Sequence, residues 1–532
     1  MSGKPNILII NPDQMRADAL HHLGCEASYT PNLDDLGFDG VSFKNAFCQN
    51  PVCVPSRCSF MTGLYPHTKG HRTMSYLLHE DEGNLFSDMK EAGYYTVSST
   101  RGDLMAGQLR KYHRELIDKY LMFSHVKTPA TVVKSGRGEK GSDTFFSFFD
   151  GIIPENKKGR EIKNIDDLCI DSAVRQIKKR PKKKPFFMFV GLNFPHPPYQ
   201  IEQKYYDLID ESKLQQRIPN IEDEDGKPLM EKGLMKALGI SEWSEDRLKE
   251  IRRTYLAMCA KVDDQVGRLI STLKDEGIYD NTAIIVLSDH GDYTTDYGIV
   301  EKCQNCFPDC LTNVPFIIKP PKNISVDKGI NENLVELADL CATVYDLAGI
   351  KCERQSFSES LLPTMKDKNT THKDYVFCEG GRLMGESHCS ESNLFINEDA
   401  EYSPRLLLQM KEDGTHTKAA MIRSKDYKYV MRLYEKDEFY VLSEGESVNR
   451  IDDEKYKEII TEMKEELLLW YMKTCDIVPK TYDDRFTDEF LQNNIASVGI
   501  PLFVGKLATG VISLTGKTTS QFIDMVKRKF KL

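Results

Sequence analysis

Short runs of apolar, often β-branched residues recur along the first two-thirds of the chain. Residues 6–10 form the first run, which predicts a buried strand. Between the later runs, apolar residues recur at spacings of three and four, which predicts helices. Strands that alternate with helices favour an α/β fold: a large mixed, mainly parallel sheet sandwiched by helices. The other predicted strands are 185–190, 282–287 and 314–318, and the predicted helices are 255–273 and 334–347.

The pattern changes near residue 400. We therefore predict an α/β catalytic domain over residues 1–400, and a small C-terminal α+β subdomain with an antiparallel sheet, followed by a tail, over 401–532. Within the first part, residues 215–250 and 352–418 are polar and irregular, which predicts insertions over one end of the sheet. The C-terminal elements predicted are strands within 419–433 and 438–442 and a helix over 453–471.

Composition and charge narrow the function classes. Of the 532 residues 40% are hydrophobic, so the chain can build a sizeable core. The formal net charge of −10 argues against a general nucleic-acid binder. The first apolar run is too short for a signal peptide, and no apolar stretch is long enough to span a membrane. The 14 cysteines are scattered, which is typical of reduced thiols, so we expect a cytoplasmic protein without a membrane partner.

The segment 53–57, which reads Cys-Val-Pro-Ser-Arg, carries the most informative chemistry. Pro55 suits the first turn of a helix, and Gly63 suits its end. Cys53 is then expected at a helix amino terminus, where free N–H groups favour an anion. Arg57 follows one turn later and brings a fork of donors to the same place. The segment therefore predicts either a reactive group beside an anion site or a buried structural cysteine.

Polar residues follow two of the predicted strands directly. Asp13 and Gln14 come after the first strand, and Asp289 and His290 come after 282–287. Sites of α/β sheets lie at the carboxyl ends of the strands, so these side chains are expected to form a cage for a divalent cation. Oxygen ligands favour Ca²⁺ or Mg²⁺, and the single histidine leaves Mn²⁺ or Zn²⁺ open. An Asp after a strand is also often only a helix cap.

Taken together, these motifs resemble the type I, formylglycine-dependent sulfatases of the alkaline-phosphatase superfamily. The similarity extends over about residues 5–350, with the motifs in the family's order. It begins with Asp13 after the first strand and the segment 53–57 with Thr62-Gly63. The remaining matching motifs are Phe194-Pro-His-Pro-Pro-Tyr199, Val262-Asp-Asp-Gln-Val-Gly267, Ser288-Asp-His-Gly291, and Lys302 ahead of Val314-Pro315.

The resemblance implies a modified residue and a metal. In this family a separate maturase oxidises the signature cysteine to formylglycine, so Cys53 would be the precursor of an aldehyde hydrate that attacks sulfur. One divalent ion, typically Ca²⁺, with Mg²⁺ or Mn²⁺ as alternatives, would activate that hydrate. Its ligands would be Asp13, Gln14, Cys53, Asp289 and His290.

The resemblance also implies the reaction. The enzyme would be a sulfuric ester hydrolase that acts on a small sulfated substrate, expected to be a sulfated carbohydrate. Arg57 would steady the hydrate, while His196 and Lys302 would bind sulfate oxygens, and one of the two would protonate the leaving group. Its partners would be the substrate, the maturase and, as an open alternative, a second copy of the chain.

Two features depart from the commonest family pattern. Arg101 and Asp103 stand where many sulfatases carry a Lys-x-His pair. Arg101 keeps the positive charge, and Asp103 would act as a base on the hydrate or contact the substrate. The pair of Gln14 and His290 is similar to the choline-sulfatase and phosphonate monoester hydrolase branch. A phosphonate monoester hydrolase or phosphodiesterase is therefore the alternative function.

Other interpretations remain open at this stage. Glu379 and His388, in the second insertion, are candidates for substrate specificity. Cys303, Cys306 and Cys310 have a spacing seen in metal sites, but without an obvious fourth ligand nearby we predict buried thiols. A non-catalytic binder of sulfated ligands would keep its signature cysteine intact. A cysteine hydrolase would instead use that thiolate without a metal.

Overall fold

The computed structural model describes residues 3–79, 82–99, 104, 115–121, 146–153, 163–222, 225–351, 354–391 and 402–477. These residues belong to one compact unit, Met1–Ile477. The strands are β1 (Asn6–Asp13), β2 (Val41–Phe47), β3 (Tyr95–Ser99), β4 (Lys119–Leu121), β5 (Phe149–Ile153), β6 (Phe186–Pro195), β7 (Tyr199–Glu202), β8 (Thr282–Leu287), β9 (Phe316–Lys319), β10 (Gly329–Glu336), β11 (Val376–Gly380), β12 (Ala419–Arg423), β13 (Tyr427–Arg432) and β14 (Glu438–Val441).

The α-helices lie between these strands along the chain, and the last of them follows β14. They are α1 (Pro31–Asp39), α2 (Cys53–Thr62), α3 (Pro66–Lys69), α4 (Leu85–Glu91), α5 (Ile165–Lys179), α6 (Gln203–Tyr206), α7 (Leu229–Leu238), α8 (Glu245–Asp275), α9 (Asp309–Thr312), α10 (Leu340–Ala348), α11 (Leu362–Lys366), α12 (Ser403–Lys411) and α13 (Lys457–Thr474). None of the helices in the described ranges is long and apolar enough to cross a membrane.

An eight-stranded sheet carries the fold, in the order β10-β2-β9-β8-β1-β6-β3-β4. Neighbouring strands are parallel, except that β9 runs antiparallel to both β2 and β8. Strand β1 lies between β8 and β6 and is parallel to both. The carboxyl ends of these three strands therefore meet at one edge, at Asp13, Leu287 and Pro195. The predicted mixed, mainly parallel sheet is confirmed.

Strand β1 is buried on both faces. Ile7 and Ile9 belong to an apolar cluster that contains side chains of α2 and α10. Leu8 and Ile10 belong to a second cluster, built largely on α8. Successive side chains of a strand point to opposite faces, so a continuous apolar run is what a sheet covered on both sides requires.

A second sheet, β11-β12-β13-β14, is antiparallel throughout. It confirms the predicted small antiparallel sheet near the C-terminus. Its first strand, however, comes from the insertion 352–418. Helix α13 packs on it through Trp470, whose ring stacks on Phe377 at 4.7 Å between centroids. The domain boundary at residue 400 stays a prediction.

Two local predictions were wrong. The predicted helix 334–347 begins only at Leu340, because the residues up to Glu336 complete β10 and pair with β2. Residues 215–250 are not wholly irregular, since they contain α7 and the start of α8. Helix α8 is capped by the side chain of Ser244, which accepts from the backbone N–H of Arg247. Most residues of its first turns are charged, so the prediction began only at Tyr255, although Leu248 and Ile251 extend the same buried apolar face.

Candidate active site

Cys53 is the first residue of α2. Val52 precedes it in an extended conformation, and Pro55 lies in the first helical turn. The helix ends at Gly63, which has a φ of 70° and therefore the left-handed conformation that favours glycine. Both predicted ends of this helix are thus observed, and Cys53 presents its side chain from a buried helix amino terminus.

Four groups of metal-ligating type meet in front of this terminus. The ligand atoms of Asp13, Cys53, Asp289 and His290 all lie within 4.8 Å of one another, and all four residues are buried. Cys53 Sγ is 3.2 Å from His290 Nε2 and 3.6 Å from Asp13 Oδ1. His290 Nε2 is 3.8 Å from Asp13 Oδ1 and 3.9 Å from Asp289 Oδ1. The meeting of the β1 and β8 ends brings the two carboxylates together.

The donor set fits a divalent cation. His290 Nδ1 lies 3.0 Å from the carbonyl oxygen of Gly291, which can only accept, so Nδ1 carries a proton and Nε2 turns a lone pair to the carboxylates. Burial lowers the pKa of His290, which favours the neutral imidazole that metals bind. Two carboxylates and one imidazole suit Ca²⁺, Mg²⁺ or Mn²⁺. A hard cation prefers oxygen to sulfur, so an oxygen at the Sγ position of Cys53 would improve the set.

Arg57 bridges the carboxylates of Asp13 and Asp289. Its Nε donates to Asp289 Oδ2 at 2.8 Å, and its Nη2 donates to Asp13 Oδ2 at 2.7 Å. All three side chains have zero solvent exposure. One guanidinium against two carboxylates leaves net negative charge beside Cys53, and the Oδ1 atoms remain turned to the ligand cluster. A bound cation would offset that charge.

Gln14 connects the cluster to Lys302. Its backbone N–H donates to Asp289 Oδ1 at 3.1 Å, and its side-chain Oε1 accepts from Lys302 Nζ at 2.7 Å. Burial lowers the pKa of Lys302, but anionic neighbours, Glu301 among them, raise it further than burial lowers it. Lys302 is therefore a buried cation beside the cluster, with Glu301 Oε1 at 3.0 Å.

Asp292 is a buried site residue that the sequence reasoning missed. Its Oδ2 accepts from Gln14 Nε2 at 2.6 Å, and both its oxygens accept from the hydroxyl of Tyr199, at 2.9 and 3.0 Å. Burial raises the pKa of Asp292 to about 6. Because a carboxylate must receive the N–H side of the amide, Asp292 turns the oxygen of Gln14 to Lys302. The only signal was a second carboxylate three residues after Asp289.

His196 lies just beyond the carboxyl end of β6, one residue after Pro195. Its Nε2 is 2.7 Å from the hydroxyl of Tyr402, a second residue that the sequence reasoning missed. Lys302 Nζ lies 5.8 Å from the centroid of the Tyr402 ring. These contacts bring His196 and Lys302 to the same tyrosine. Tyr402 belongs to no recognised motif, so a single sequence offered no signal for it.

The remaining predicted site residues are placed differently. Arg101 and Asp103 lie outside the described residues. Glu379 is buried, and its Oε1 accepts from the backbone N–H of His67 at 2.9 Å. His388 has a side chain that is 80% exposed, 4.0 Å from Glu386, and Glu386 is already paired with an arginine.

The three cysteines after Lys302 are buried thiols, as predicted. Cys303, Cys306 and Cys310 belong to one apolar cluster, together with Tyr293 and Leu311. Among the described residues, they do not form a group whose ligand atoms are close enough to share a metal ion.

The geometry can now be compared with known proteins. A family model described as Sulfatase matches residues 5–350, which is more than half of the chain. The chain belongs to the sulfatase family. It is therefore an enzyme, a sulfuric ester hydrolase. The family uses a metal, and the ligand cluster gives this sulfatase a site that could hold one.

Relatives of this sulfatase include enzymes with named substrates. An arylsulfatase of Clostridium perfringens is 27% identical over 429 residues, which cover 74% of this chain and 84% of the relative. An N-acetylglucosamine-6-O-sulfatase of Bacteroides thetaiotaomicron is 23% identical over 433 residues, covering 70% and 73%. A solved phosphonate monoester hydrolase from Silicibacter pomeroyi is similar in fold, with a TM-score of 0.71, 21% identity, and coverage of 88% and 96%.

Proposed function

We propose that this chain hydrolyses the sulfate ester of a small sulfated carbohydrate, and that a maturase first converts Cys53 to formylglycine. The observation that carries the proposal is the position of Cys53 Sγ, at a buried helix amino terminus and within 3.6 Å of Asp13 and His290. The N-acetylglucosamine-6-O-sulfatase among the relatives supports a sugar as the sulfated alcohol.

Asp13, Asp289 and His290 would hold a divalent ion, proposed to be Ca²⁺, together with the modified Cys53. Gln14, whose amide oxygen accepts from Lys302, stays a candidate ligand adjacent to the ion. A hydrated formylglycine supplies a hydroxyl that accepts the sulfuryl group and a second hydroxyl whose loss of a proton releases sulfate. A bound divalent ion supplies the positive charge that favours an ionised hydroxyl near neutral pH. The hydrogen bonds from Arg57 to Asp13 and Asp289 support this proposal, because they would keep both carboxylates in place for the ion.

Although the chain as a whole is acidic, buried cations at the site would attract an anionic substrate. A sulfate monoester carries one negative charge, and more charge develops on the bridging oxygen as the S–O bond breaks. Arg57 and Lys302 are both buried cations that act electrostatically on Cys53, and they do so where the dielectric constant is low. We propose that Lys302 binds a sulfate oxygen and that His196 takes part in protonating the leaving group, because its Nδ1 is bonded to the carbonyl oxygen of Pro197 and its Nε2 to the hydroxyl of Tyr402. Arg101 and Asp103 are proposed to complete the second step, and Glu379 and His388 stay candidates for substrate specificity.

The unmodified thiol is poorly suited to be the nucleophile. Burial and the carboxylate of Asp13 raise the pKa of the Cys53 thiol well above its ordinary value, against the opposing effect of Lys302. A protonated thiol is a weak nucleophile, and the sulfur would compete poorly with oxygen for a hard cation. This supports an oxygen nucleophile made from Cys53 over a cysteine hydrolase.

Phosphonate monoester hydrolysis is the second candidate function, and the pair of Gln14 and His290 favours it. The amide oxygen of Gln14 accepts a hydrogen bond from Lys302 Nζ, and Nε2 of His290 lies 3.2 Å from Cys53 Sγ. A phosphonate monoester also carries one negative charge, so the same cations would bind it.

The test compares purified protein, co-expressed with a formylglycine-generating maturase, on matched aryl sulfate and aryl phosphonate esters. We expect turnover of the sulfate with the higher kcat/KM, loss of turnover in Cys53→Ala, and loss on chelation that added Ca²⁺ restores. A large preference for the phosphonate would move the chain to the second function. Ligand binding without turnover of either ester would contradict both.

A further inference from the structure

Tyr402 is an active-site tyrosine that lies outside the family motifs. Its hydroxyl is 2.7 Å from His196 Nε2, and the two rings are 6.0 Å apart at an angle of 68°. Tyr402 directly precedes α12 and belongs to the insertion 352–418, which therefore contributes a side chain to the site. The residue as a whole is half-buried, and its hydroxyl lies against the buried His196.

The second nitrogen of His196 defines the direction of this hydrogen bond. His196 Nδ1 lies 2.7 Å from the carbonyl oxygen of Pro197, which can only accept, so Nδ1 carries a proton. In neutral His196, Nε2 therefore accepts the proton of Tyr402. In the imidazolium form, Nε2 donates to the Tyr402 oxygen, and the phenolic proton is then available to another acceptor. The pair is thus able to pass a proton outward through the tyrosine.

Two cations face the tyrosine ring. Lys302 Nζ lies 5.8 Å and Arg405 Cζ 5.3 Å from the ring centroid. Both favour negative charge that builds up on the phenolic oxygen as its proton leaves. Arg405 also donates to the carbonyl oxygen of Lys302 at 2.8 Å and to Glu301 Oε2. Helix α12, which directly follows Tyr402, is therefore fastened to the segment that carries Lys302.

We propose that Tyr402 donates the proton that the leaving group takes, and that His196 restores it; this rests on the proposed function. As a hydroxyl oxygen of the proposed aldehyde hydrate at residue 53 bonds to sulfur, the S–O bond to the leaving group breaks. Its electron pair stays on the leaving oxygen, which takes the phenolic proton of Tyr402. The phenolic oxygen then takes the Nε2 proton of the imidazolium of His196. The net transfer is one proton from His196 to the departing alcohol, so charge and atoms balance.

The test is the dependence of kcat on the leaving group in Tyr402→Phe, which removes only the hydroxyl. On sulfates of weakly acidic alcohols and phenols, we expect kcat to fall by about 10²-fold or more, the usual contribution of general acid catalysis. On sulfates of acidic nitrophenols, which leave without a proton, kcat is expected to fall by only a few-fold. Tyr375→Phe is the matched control, since its hydroxyl bonds Glu462 on an exposed surface and its loss leaves every kcat unchanged.

The double variant with His196→Gln tests the relay itself. If one proton passes through both residues, the double variant loses about as much kcat on poor leaving groups as either single variant. Multiplied losses would overturn the relay. An equal loss across the whole ester series would overturn the proton-donor role and reduce Tyr402 to a positioning residue. Wild-type protein that turns over no sulfate ester would refute the proposed function itself, and this proposal with it.

Discussion

At the scale of single residues, Arg57 has the role most dependent on geometry. It spans two carboxylates with two different nitrogens, which a lysine ammonium cannot do. We expect Arg57→Lys to lower kcat/KM on an aryl sulfate by roughly 10²-fold, the loss typical when one fixed charge donor is removed. Steady-state kinetics measure this.

Arg217→Lys is the control for that substitution. Arg217 also bonds a carboxylate through two nitrogens, that of the exposed Glu245, but neither residue belongs to the ligand cluster, so kcat/KM is expected to stay unchanged. Wild-type kcat/KM in Arg57→Lys would contradict the role of the guanidinium fork.

The sequence predicted those site residues whose chemistry suits a site and whose position is at the end of a strand or the start of a helix. Asp13 and Asp289 end neighbouring strands, and Cys53 starts a helix marked by proline and glycine, so simple rules of α/β sheets bring them together. Asp292 and Tyr402 escaped prediction because both act through contacts that only the fold creates. Tyr402 in particular belongs to an insertion whose path no local pattern encodes.

At the scale of elements, the end of α2 constrains the helix that carries Cys53. An added Cβ at Gly63 would lie 2.8 Å from the Cβ of Ser358 and 3.0 Å from that of Ser356, at a φ of 70°. We expect Gly63→Ala to lower the free energy of unfolding by about 2–3 kcal/mol, from left-handed strain plus crowding. Urea unfolding measures it.

Gly239 ends α7 with a φ of 64°, but an added Cβ there would meet no atom within 4 Å. Gly239→Ala therefore isolates the backbone strain and is expected to cost only about 1 kcal/mol. Equal costs for the two variants would show that packing against Ser356 and Ser358 does not limit α2.

The burial and the strand pairing of each element explain how well the sequence predicted it. The apolar runs of β1, β6 and β8 are central and buried on both faces, so local hydrophobicity and tertiary position agree. The stretch 334–347 has helical spacing, yet its first residues pair with β2 as the end of β10. Tertiary pairing overrode local preference there, which no local pattern could anticipate.

At the scale of the whole molecule, one ion-pair cluster ties the segment after Lys302 to the antiparallel sheet. Asp309 accepts from Arg423 of β12 at 3.0 Å and from Lys428 of β13 at 2.6 Å. Burial raises the pKa of Asp309, but these two cations lower it by more, so the net pKa lies below its ordinary value. A carboxylate with a depressed pKa contributes stability above its unfolded pKa, of about 3.9, and that stability is lost as the pH falls.

We therefore expect Asp309→Asn to lower the free energy of unfolding by roughly 2 kcal/mol at neutral pH. The difference from wild type should narrow as the pH falls below about 4, where the carboxylate of the unfolded chain takes up a proton while the folded carboxylate, with its lower pKa, stays ionised to lower pH. Urea unfolding across the pH range checks both statements. Asp280→Asn, at an exposed pair with Lys322, is the control and is expected to change little. A difference that does not narrow in acid would contradict the account.

Metal binding should also stabilise the whole molecule. Two buried carboxylates share one arginine, so a divalent ion relieves their repulsion only in the folded state. At a Ca²⁺ concentration about 100 times its Kd, the gain is about 2.7 kcal/mol, which a thermal melt detects as a higher Tm. We expect Asp289→Asn to reduce this shift, whereas Asp280→Asn keeps it. A Tm that changes neither when Ca²⁺ is added nor when a chelator is added would contradict a metal at this site.

The central claim is that an aldehyde made from Cys53 carries out sulfate ester hydrolysis. The most direct measurement is the mass of the peptide that contains Cys53, taken from preparations of graded specific activity on an aryl sulfate. The account predicts that the fraction of peptide with an aldehyde in place of the thiol rises in proportion to the activity. Fully active protein in which Cys53 remains an intact thiol would contradict it.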